Sequence, residues 1–324
     1  MATIKDVAER AGVTVTTVSR VLNNRGYISQ ETREKVYRVM QEINYQPNEI
    51  ARSLTRKRSM ILGVIIPAIA HPFFAELTNH IERYASSLGY KILLCNSRLD
   101  QQKEKDYIDM LKSNRVDGVF MASHTLEIDE YKKLARPVVT FDRRIENIPF
   151  VSSDNEQGGA LVAELLMSKQ CRKIAHISGN LQLDLLSNRR TESFVRTLRA
   201  RSVEPVLVEL GPDVFEAADN ERVIAKLFAE HPDVDGIFAS GDLLALNVMQ
   251  ACTARGIAVP DRVKLVGYDD IEVAKLMNPS LTTVKQPLEA MARRVVELLD
   301  AMIAGNDVPL ENVLPVTLIE RGST

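Results

Sequence analysis

Residues 3–23 have the sequence TIKDVAERAGVTVTTVSRVLN, and this stretch decides the fold of the amino-terminal part of the chain. Apolar residues recur at helical spacing over residues 4–11, and Thr3 followed three residues later by Asp6 is the pattern of a capping box. Gly12 stands where a chain needs a left-handed residue to leave one helix and enter another. The stretch therefore predicts a helix, a short turn and a second helix.

The helical spacing resumes over residues 14–22, and a third helix is predicted after Ser29, a suitable N-cap. The small Ala8 suits a close helix crossing, and Val18 would lock the second helix against the first. The third helix would bury four apolar residues under the first two: Val36, Val39, Met40 and Ile43. Three short helices around one small core are typical of a helix-turn-helix DNA-binding domain.

In that geometry the second helix lies in the major groove, and its exposed side chains face the base edges. Arg20 can donate two hydrogen bonds to guanine, while Val15 and the methyl group of Thr16 suit thymine methyl groups. The other predicted DNA contacts, chiefly with phosphate oxygens, are Thr3, Thr17, Ser19 and Asn23. An ordinary solvated helix is an alternative for each residue alone, but the whole pattern favours DNA binding.

The distribution of charge agrees with a DNA-binding head. Residues 1–60 contain eleven Lys or Arg and six Asp or Glu, a balance of +5. Because the whole chain carries −2, the remaining residues carry −7. A basic head on an acidic body is the electrostatic pattern of a local nucleic-acid-binding module, since phosphate contacts supply much of the affinity.

Five runs in the head carry a family resemblance: IKDVA (4–8), GV (12–13), TVSRVLN (17–23), TREKV (32–36) and NYQPN (44–48). Together they resemble the head of the lactose/galactose repressor family, and the similarity continues to the end of the chain. The resemblance implies a sequence-specific transcriptional repressor of a carbohydrate operon. Such a repressor binds a pseudo-palindromic operator as a homodimer and is released by a sugar inducer. The chain carries no leucine-heptad tail after Glu320, so a dimer is expected rather than a tetramer.

Residues 47–60 are predicted to connect the head, residues 1–46, to the body. After Pro47, Asn48 can cap a short helix, which would be marginal in water and ordered only when something holds it. The resemblance implies that this hinge helix pairs with its copy in a dimer and inserts Leu54 into the minor groove. Asn48 and Arg52 are then further DNA contacts, although a simple cleavable linker is an alternative.

From residue 61 the pattern changes to short apolar strands that alternate with amphipathic helices, which predicts parallel sheets. The candidate strands are residues 61–66, 91–95, 118–122, 138–141, 173–178, 236–240 and 264–268. Two successive doubly wound halves fit residues 61–324, and the expected ligand site is the cleft at the carboxyl ends of their strands. The resemblance implies a bilobal fold of periplasmic-binding-protein type, with an N-subdomain of about 61–158 and 287–315 and a C-subdomain of about 159–286 and 316–324.

Polar or aromatic residues that directly follow the predicted strands are candidates for the effector site. Carboxylates can accept paired sugar hydroxyls, a cation can fix orientation, and a phenylalanine face can stack on the C–H groups of a pyranose. By resemblance, the effector-contacting residues are Phe73, Phe74, Asp142, Arg190, Phe215, Asp242 and Asp269. The plain alternatives are that the paired phenylalanines are core residues, that Asp142 and Asp269 cap helices, and that Arg190 forms a solvated pair with Arg189.

Two features bear on the effector. Residues 21–27, 148–155 and 188–190 look most like sucrose-responsive members of the family, which implies sucrose or a related sugar. Gly241 replaces an asparagine of many relatives, and the Gly241-Asp242 pair also occurs in the purine-responsive branch. A purine or other metabolite that acts as a co-repressor therefore stays an alternative. A sugar-binding receptor without a DNA role fits the body but leaves the basic head unexplained.

Other function classes lose support. No GxGxxG, GKS/T, GxSxG or HExxH motif is present, so no enzyme is predicted. Cys95, Cys171 and Cys252 show no zinc-type spacing, and we expect neither a metal nor another cofactor. Without an apolar run of membrane length or a secretory signal, the expected location is the cytoplasm.

Overall fold

The computed structural model describes residues 2–46, 58–125, 134–211 and 217–324, with the backbone alone at 217–219. The chain divides into two compact units, residues 1–60 and residues 61–324. Four residues predicted to contact DNA or effector lie outside the described residues: Asn48, Arg52, Leu54 and Phe215. No helix in the described ranges is both long and apolar enough to cross a membrane.

The head contains the three predicted helices, α1 (Ile4–Ala11), α2 (Val15–Leu22) and α3 (Gln30–Glu42). Thr3 and Asp6 form the predicted capping box at the start of α1. Gly12 ends that helix in the left-handed conformation, with φ 62°, and its N–H donates to the carbonyl groups of Ala8 and Glu9. Since a left-handed residue is what redirects the chain into α2, the helix-turn-helix prediction is confirmed.

One side of each head helix supplies a small apolar core. Its buried members are Val7, Ala8, Ala11, Val18, Val21, Val36 and Val39, with Met40 and Ile43 partly buried against them. Because this core uses the inner faces only, the outer face of α2 stays free for other contacts.

The body contains the remaining strands and helices, which are numbered in chain order. Its strands are β1 (Ile61–Ile66), β2 (Lys91–Asn96), β3 (Gly118–Met121), β4 (Val138–Phe141), β5 (Phe150–Ser153), β6 (Ile174–Ser178), β7 (Val206–Glu209), β8 (Gly236–Ala239), β9 (Lys264–Asp269), β10 (Thr282–Lys285), β11 (Glu311–Leu314) and β12 (Thr317–Ile319). Its helices are α4 (Pro72–Ser87), α5 (Gln101–Ser113), α6 (Asn155–Ser168), α7 (Asn188–Arg199), α8 (Ala217–Glu230), α9 (Asp242–Ala254), α10 (Glu272–Leu276) and α11 (Leu288–Ile303).

Within the described residues, the strands of the body form two six-stranded sheets. The first, which we call lobe 1 with its helices, has the order β11-β5-β4-β3-β1-β2 and is parallel throughout. The second, lobe 2, has the order β12-β10-β9-β8-β6-β7, and β12 alone among these strands runs antiparallel to its neighbour. Both sheets repeat one doubly wound order, which confirms the predicted fold class and places ligand sites at the carboxyl ends of the strands.

The chain passes between the lobes three times. It leaves lobe 1 after β5 to begin α6, returns after β10 to form α11 and β11, and crosses again to β12. Helix α11 belongs to lobe 1 because it packs on α4, and because Tyr90, just before β2, donates from its hydroxyl group to Asp300 at 2.8 Å. Each lobe is therefore built from separated parts of the sequence.

Within lobe 2, the first turns of α6 approach α7 and β9 so closely that two positions require glycine. A Cβ atom on Gly159 would overlap the carbonyl oxygen of Arg190 in α7, and one on Gly158 would press on the ring of Tyr268. Helices α6 and α7 lie side by side in extensive contact. The glycine pair thus sets how near α6 lies to the residues of the cleft.

We expect Gly159→Ala to lower the free energy of unfolding of the body by about 1–3 kcal/mol, since the added methyl group meets rigid backbone. Urea denaturation followed by circular dichroism measures this. The matched control is Gly211→Ala, because a Cβ there would meet no heavy atom of the described residues within 4 Å. Equal midpoints for the two variants would contradict the close-packing argument.

Candidate functional site

A cavity of about 430 Å³ lies between the lobes at the carboxyl ends of the strands. It is lined by His71, Phe73, Phe74, Ala122, His124, Phe141, Asp142, Leu185, Ser187, Arg190, Leu210, Asn220, Ser240, Gly241, Leu243, Leu244, Leu246, Asn247, Asp269 and Gln286. This volume is in the range of about 300–1,000 Å³ that is usual for small-molecule sites. The mixture of aromatic, aliphatic and convergent polar groups is also that of a ligand pocket.

Aromatic rings from lobe 1 form one wall of the cavity. Phe73 and Phe74 lie in the first turn of α4 with their ring centroids 5.1 Å apart, and Phe141 at the end of β4 lies 5.8 Å from Phe73. Phe73 is buried and Phe74 is half-buried. Both predicted phenylalanines thus line the cavity, where a ring face can pack on apolar C–H groups.

Asp142 follows β4 and connects the two lobes. Its Oδ1 accepts hydrogen bonds from the Ser152 hydroxyl at 2.8 Å and from the Asn155 amide at 3.1 Å, both near the crossing between lobes. Its Oδ2 accepts from the backbone N–H of Ser187 in lobe 2 at 2.8 Å. Asp142 has a positive φ of 55°, a conformation that non-glycine residues adopt at a cost. These bonds hold the carboxylate at the cavity wall.

Arg190, in the first turn of α7, is buried and held from three sides. Its Nε donates to Asn155 Oδ1 at 3.0 Å and its Nη1 donates to the Ser240 carbonyl at 2.9 Å. The guanidinium lies over the ring of Tyr268, 3.7 Å from the centroid. Such stacking and forked donation fix the charged plane, so the cation is preorganised at the cavity.

Asp269 ends β9 and faces the same cavity. Its Oδ1 accepts from the amide of Gln286 at 2.7 Å, and its backbone has a φ of 117°. Burial raises the pKa of Asp269 to about 7, although the positive charge of Arg190 and the bond from Gln286 act in the opposite direction. Its carboxyl group can therefore change its protonation state near neutral pH.

Asp242 occupies a different kind of position. It is 1% exposed, and the residues that line the cavity, as far as the structure describes them, do not include it. Its oxygens accept from the Thr283 hydroxyl at 2.6 Å and from the Ile271 N–H at 2.9 Å. Burial, and then the nearby charge of Asp269, raise the pKa of Asp242 well above its usual value. This placement fits a role in tying α9 to β10 better than one in touching an effector.

Three histidines of the body, His71, His124 and His176, lie in surroundings that favour the neutral ring. Burial lowers the pKa of His71 to about 4, and burial also lowers the pKa of His124, which lines the cavity beside it. His176 is a core residue whose ring stacks on Phe238 with centroids 4.4 Å apart. Within the part of the chain that the structure describes, no three His, Cys, Asp or Glu side chains come together as metal ligands would.

Sequence reasoning missed several polar residues of the site. Gln286 and Ser187 contact the predicted aspartates, and Asn220 and Asn247 line the cavity from α8 and α9. Gln286 could have been found because it directly follows β10, but that strand itself was not predicted. The two asparagines lie within helices, where spacing alone does not distinguish a cavity wall from a surface.

The second helix of the head, α2, is the candidate DNA interface. Val15, Thr16 and Arg20 are exposed on α2, while Thr17, Ser19 and Asn23 are half-buried and bonded locally. The Thr17 N–H donates to the capping hydroxyl oxygen of Thr14 at 3.1 Å, and the Asn23 amide donates to the Ser19 carbonyl at 2.9 Å. The three residues predicted to contact bases therefore lie outside the apolar core of the head.

A helix-turn-helix head joined to a hinged pair of parallel-sheet lobes defines a class of bacterial regulators that couple a DNA site to a small-molecule site. Two family models match in the same arrangement: bacterial regulatory proteins of the lacI family at residues 3–48, and a periplasmic binding protein-like domain at residues 163–324.

Curated relatives match over almost the whole length. The sucrose operon repressor of Pediococcus pentosaceus is 41% identical over 98% of this chain and 98% of its own. The ribose operon repressor of Halalkalibacterium halodurans is 39% identical over 100% of this chain and 97% of its own. The lac repressor dimer bound to operator and the anti-inducer ONPF has a TM-score of 0.88 and 27% identity over 99% of this chain and 98% of its own. The chain belongs to the lacI family, the lactose/galactose repressor family that its head resembles.

The raised pKa of Asp269 predicts a pH-dependent stability. Because the folded-state pKa exceeds the ordinary value of 3.8, folding retains the proton that the unfolded chain loses. Stability from this group is therefore lost as the pH rises from about 4 to about 7. Between pH 5 and pH 8 we expect wild type to lose about 2 kcal/mol more free energy of unfolding than Asp269→Asn.

Urea denaturation of both proteins at the two pH values measures that difference. Asp261→Asn is the control, because it removes an exposed carboxyl group of lobe 2 that lies outside the cavity. Parallel pH dependence in wild type and Asp269→Asn would show that the burial of Asp269 has no such effect.

Proposed function

We propose that this chain is a sequence-specific transcriptional repressor of a carbohydrate-utilisation operon, released from its operator by a sugar, with sucrose or a related sugar favoured. One observation carries the proposal: a helix-turn-helix whose second helix has an exposed face, and a cavity lined by carboxylates, a cation and aromatic rings, occur in one member of the lacI family. The role is regulatory rather than catalytic, as it is for the relatives named as repressors, and it is exercised in the cytoplasm.

The chemistry of the cavity supports a sugar as effector. Asp142 and Asp269 present carboxyl oxygens, Arg190 presents a fixed cation, and the phenylalanine pair offers an apolar face. Polyols use all three kinds of contact, because each ring has hydroxyl groups at its edge and C–H groups on its faces. We propose these five residues as the effector-binding set, with Asp242 supporting them from beneath. The similarity to the sucrose operon repressor of P. pentosaceus supports sucrose as the particular sugar.

The head supports binding to a two-fold symmetric operator. We propose that Val15, Thr16 and Arg20 contact bases, and that Thr3, Thr17, Ser19 and Asn23 contact phosphates. The lac repressor structure is a dimer on its operator, and we propose a homodimer for this chain. Two recognition helices about one DNA turn apart then require a pseudo-palindromic site.

The contacts that connect the lobes suggest how sugar and operator are coupled. Asp142 belongs to lobe 1 and accepts from Ser187 of lobe 2, so a ligand that competes for this carboxylate changes how the lobes meet. We propose that this change reaches the hinge segment 47–60 and weakens operator binding. By linkage, operator must weaken sugar binding by the same factor.

Fluorescence anisotropy on a fourteen- to twenty-base-pair pseudo-palindrome from upstream of the protein's own gene tests the proposal. The titration is repeated with sucrose, ribose, fructose, glucose and hypoxanthine. Weaker operator binding with one sugar supports release by that sugar. Stronger binding with hypoxanthine would replace the proposal with a co-repressor mechanism, and equal affinity under every condition would refute sugar release.

We expect Arg20→Ala to weaken binding to the specific operator by at least tenfold and to reduce discrimination against a changed base pair, because a forked contact with guanine is lost. The control is Arg38→Ala, which removes the same charge from an exposed position on α3. Anisotropy titrations with operator and scrambled DNA give both quantities. If Arg38→Ala has the same effect as Arg20→Ala, base contact by Arg20 is wrong and only net charge matters.

We expect Arg190→Lys to abolish the sugar response while operator affinity without sugar changes less than threefold. Lysine keeps the charge but loses the paired donation to Asn155 and Ser240 and the planar stack on Tyr268. The neighbouring Arg189 is exposed, so Arg189→Lys serves as the control and keeps the response. A normal sugar response in Arg190→Lys would remove Arg190 from the effector-binding set.

A further inference from the structure

Asn220, on α8, is a polar residue in an apolar part of the cavity wall. It is 8% exposed and lines the cavity. Its neighbours on that wall include Leu210 and Leu244, which belong to the same core cluster as Ile224, one helical turn after Asn220. A buried amide in such surroundings is unfavourable unless its hydrogen-bonding groups are satisfied.

The carbonyl oxygen of Asn220 has no hydrogen-bond partner among the residues that the structure describes. The charged groups of the cavity differ in this respect, since Asp142, Arg190 and Asp269 are all bonded to protein groups. Buried acceptors without partners are rare in folded proteins, and each one calls for an explanation. The cavity in front of Asn220 provides one, because a ligand hydroxyl can donate to this oxygen.

Asn220 and Arg190 reach the cavity from opposite faces of the lobe 2 sheet. In β8, Ile237 and Ala239 pack in the cluster that contains Ile224 of α8, whereas Phe238 packs in the cluster that contains Phe194 of α7. Successive residues of a strand point to opposite faces. Helices α7 and α8 therefore cover different faces, and the edge of the sheet lies between their residues. A ligand that meets both must carry polar groups at two separated places.

We propose that Asn220 binds a hydroxyl group on the second ring of a disaccharide, whose first ring is held by Arg190, Asp142 and Asp269. This inference rests on the proposed sugar-releasing function and deepens it. Asn220 is then the residue that distinguishes a two-ring sugar from its single-ring components. Asn247, on the neighbouring helix α9, also lines the cavity.

Asn220→Leu tests the inference, because leucine has the same branched side-chain shape but cannot accept a hydrogen bond. Calorimetric titrations of the full chain with sucrose, glucose and fructose give the affinities. We expect the affinity for sucrose to fall about tenfold and the affinities for glucose and fructose to change less than twofold. Without sugar, the variant should melt at or above the wild-type temperature, since an unpaired buried acceptor has been removed.

Gln250→Leu is the control, because it replaces an exposed amide on α9 outside the cavity and should leave all affinities unchanged. Unchanged sucrose affinity in Asn220→Leu, or a lower melting temperature as its one effect, would assign Asn220 a structural role and overturn the inference. Equal losses for sucrose and for its components would place Asn220 at the first ring, which also overturns it.

Operator binding is measured on the same samples, so that a failure of the sugar-release proposal can be distinguished from a failure of the inference about Asn220. If wild type binds operator but none of the three sugars, the sugar-release proposal fails and the inference about Asn220 fails with it. If wild type binds sucrose and is released by it, while Asn220→Leu behaves in the same way, the inference alone is overturned.

Discussion

The buried amide of Asn155 is the contact on which the geometry of the cleft depends. It stands at the start of α6, where the chain first crosses between lobes, and it is 2% exposed. Its Nδ2 donates to Asp142 of lobe 1, and its Oδ1 accepts from Arg190 and, at 3.4 Å, from the hydroxyl group of Tyr268 in lobe 2. One side chain therefore positions an anion and a cation of the site at the same time. Because both ends of this amide are engaged, a shift in either lobe alters the other's ligand-facing groups.

In this arrangement, much of the conformational free-energy cost of ordering the site is met when the protein folds and not when a ligand binds. Asp142 and Asp269 both have positive φ angles, which L-residues adopt at a free-energy cost that the surrounding structure must offset. Stacking on Tyr268 removes the rotational freedom of Arg190, and close packing at Gly158 and Gly159 prevents α6 from moving away. A ligand that enters such a site has little ordering left to impose, which is how preorganisation increases affinity.

The sequence predicted those parts of the structure in which a particular residue type is required for a single local physical reason. Gly12 and the Thr3–Asp6 box mark helix ends, and seven apolar runs became strands because buried parallel strands are apolar on both faces. The strands that were missed are short, lie at sheet edges or carry polar residues, as in β10, where Thr282 and Thr283 bond to other segments. Asp142, Arg190 and Asp269 were found because they follow strands or match a family motif. Asn155 and Asn220 were missed because their roles depend on residues that are distant in sequence, and Asp242 lies in a core that sequence spacing does not reveal.

The three crossings between lobes have a consequence for how the chain is made. Lobe 2 is almost continuous, from α6 to β10, and needs only β12 from a later part of the sequence. Lobe 1 begins first but lacks α11 and β11 until residue 314 has been synthesised. The apolar side of its sheet and of α4 that α11 later covers is therefore exposed on the ribosome while α6 to β10 are being translated. Neither lobe is complete until the last strands, β11 and then β12, have been made, and during that interval the unfinished lobe 1 is open to aggregation.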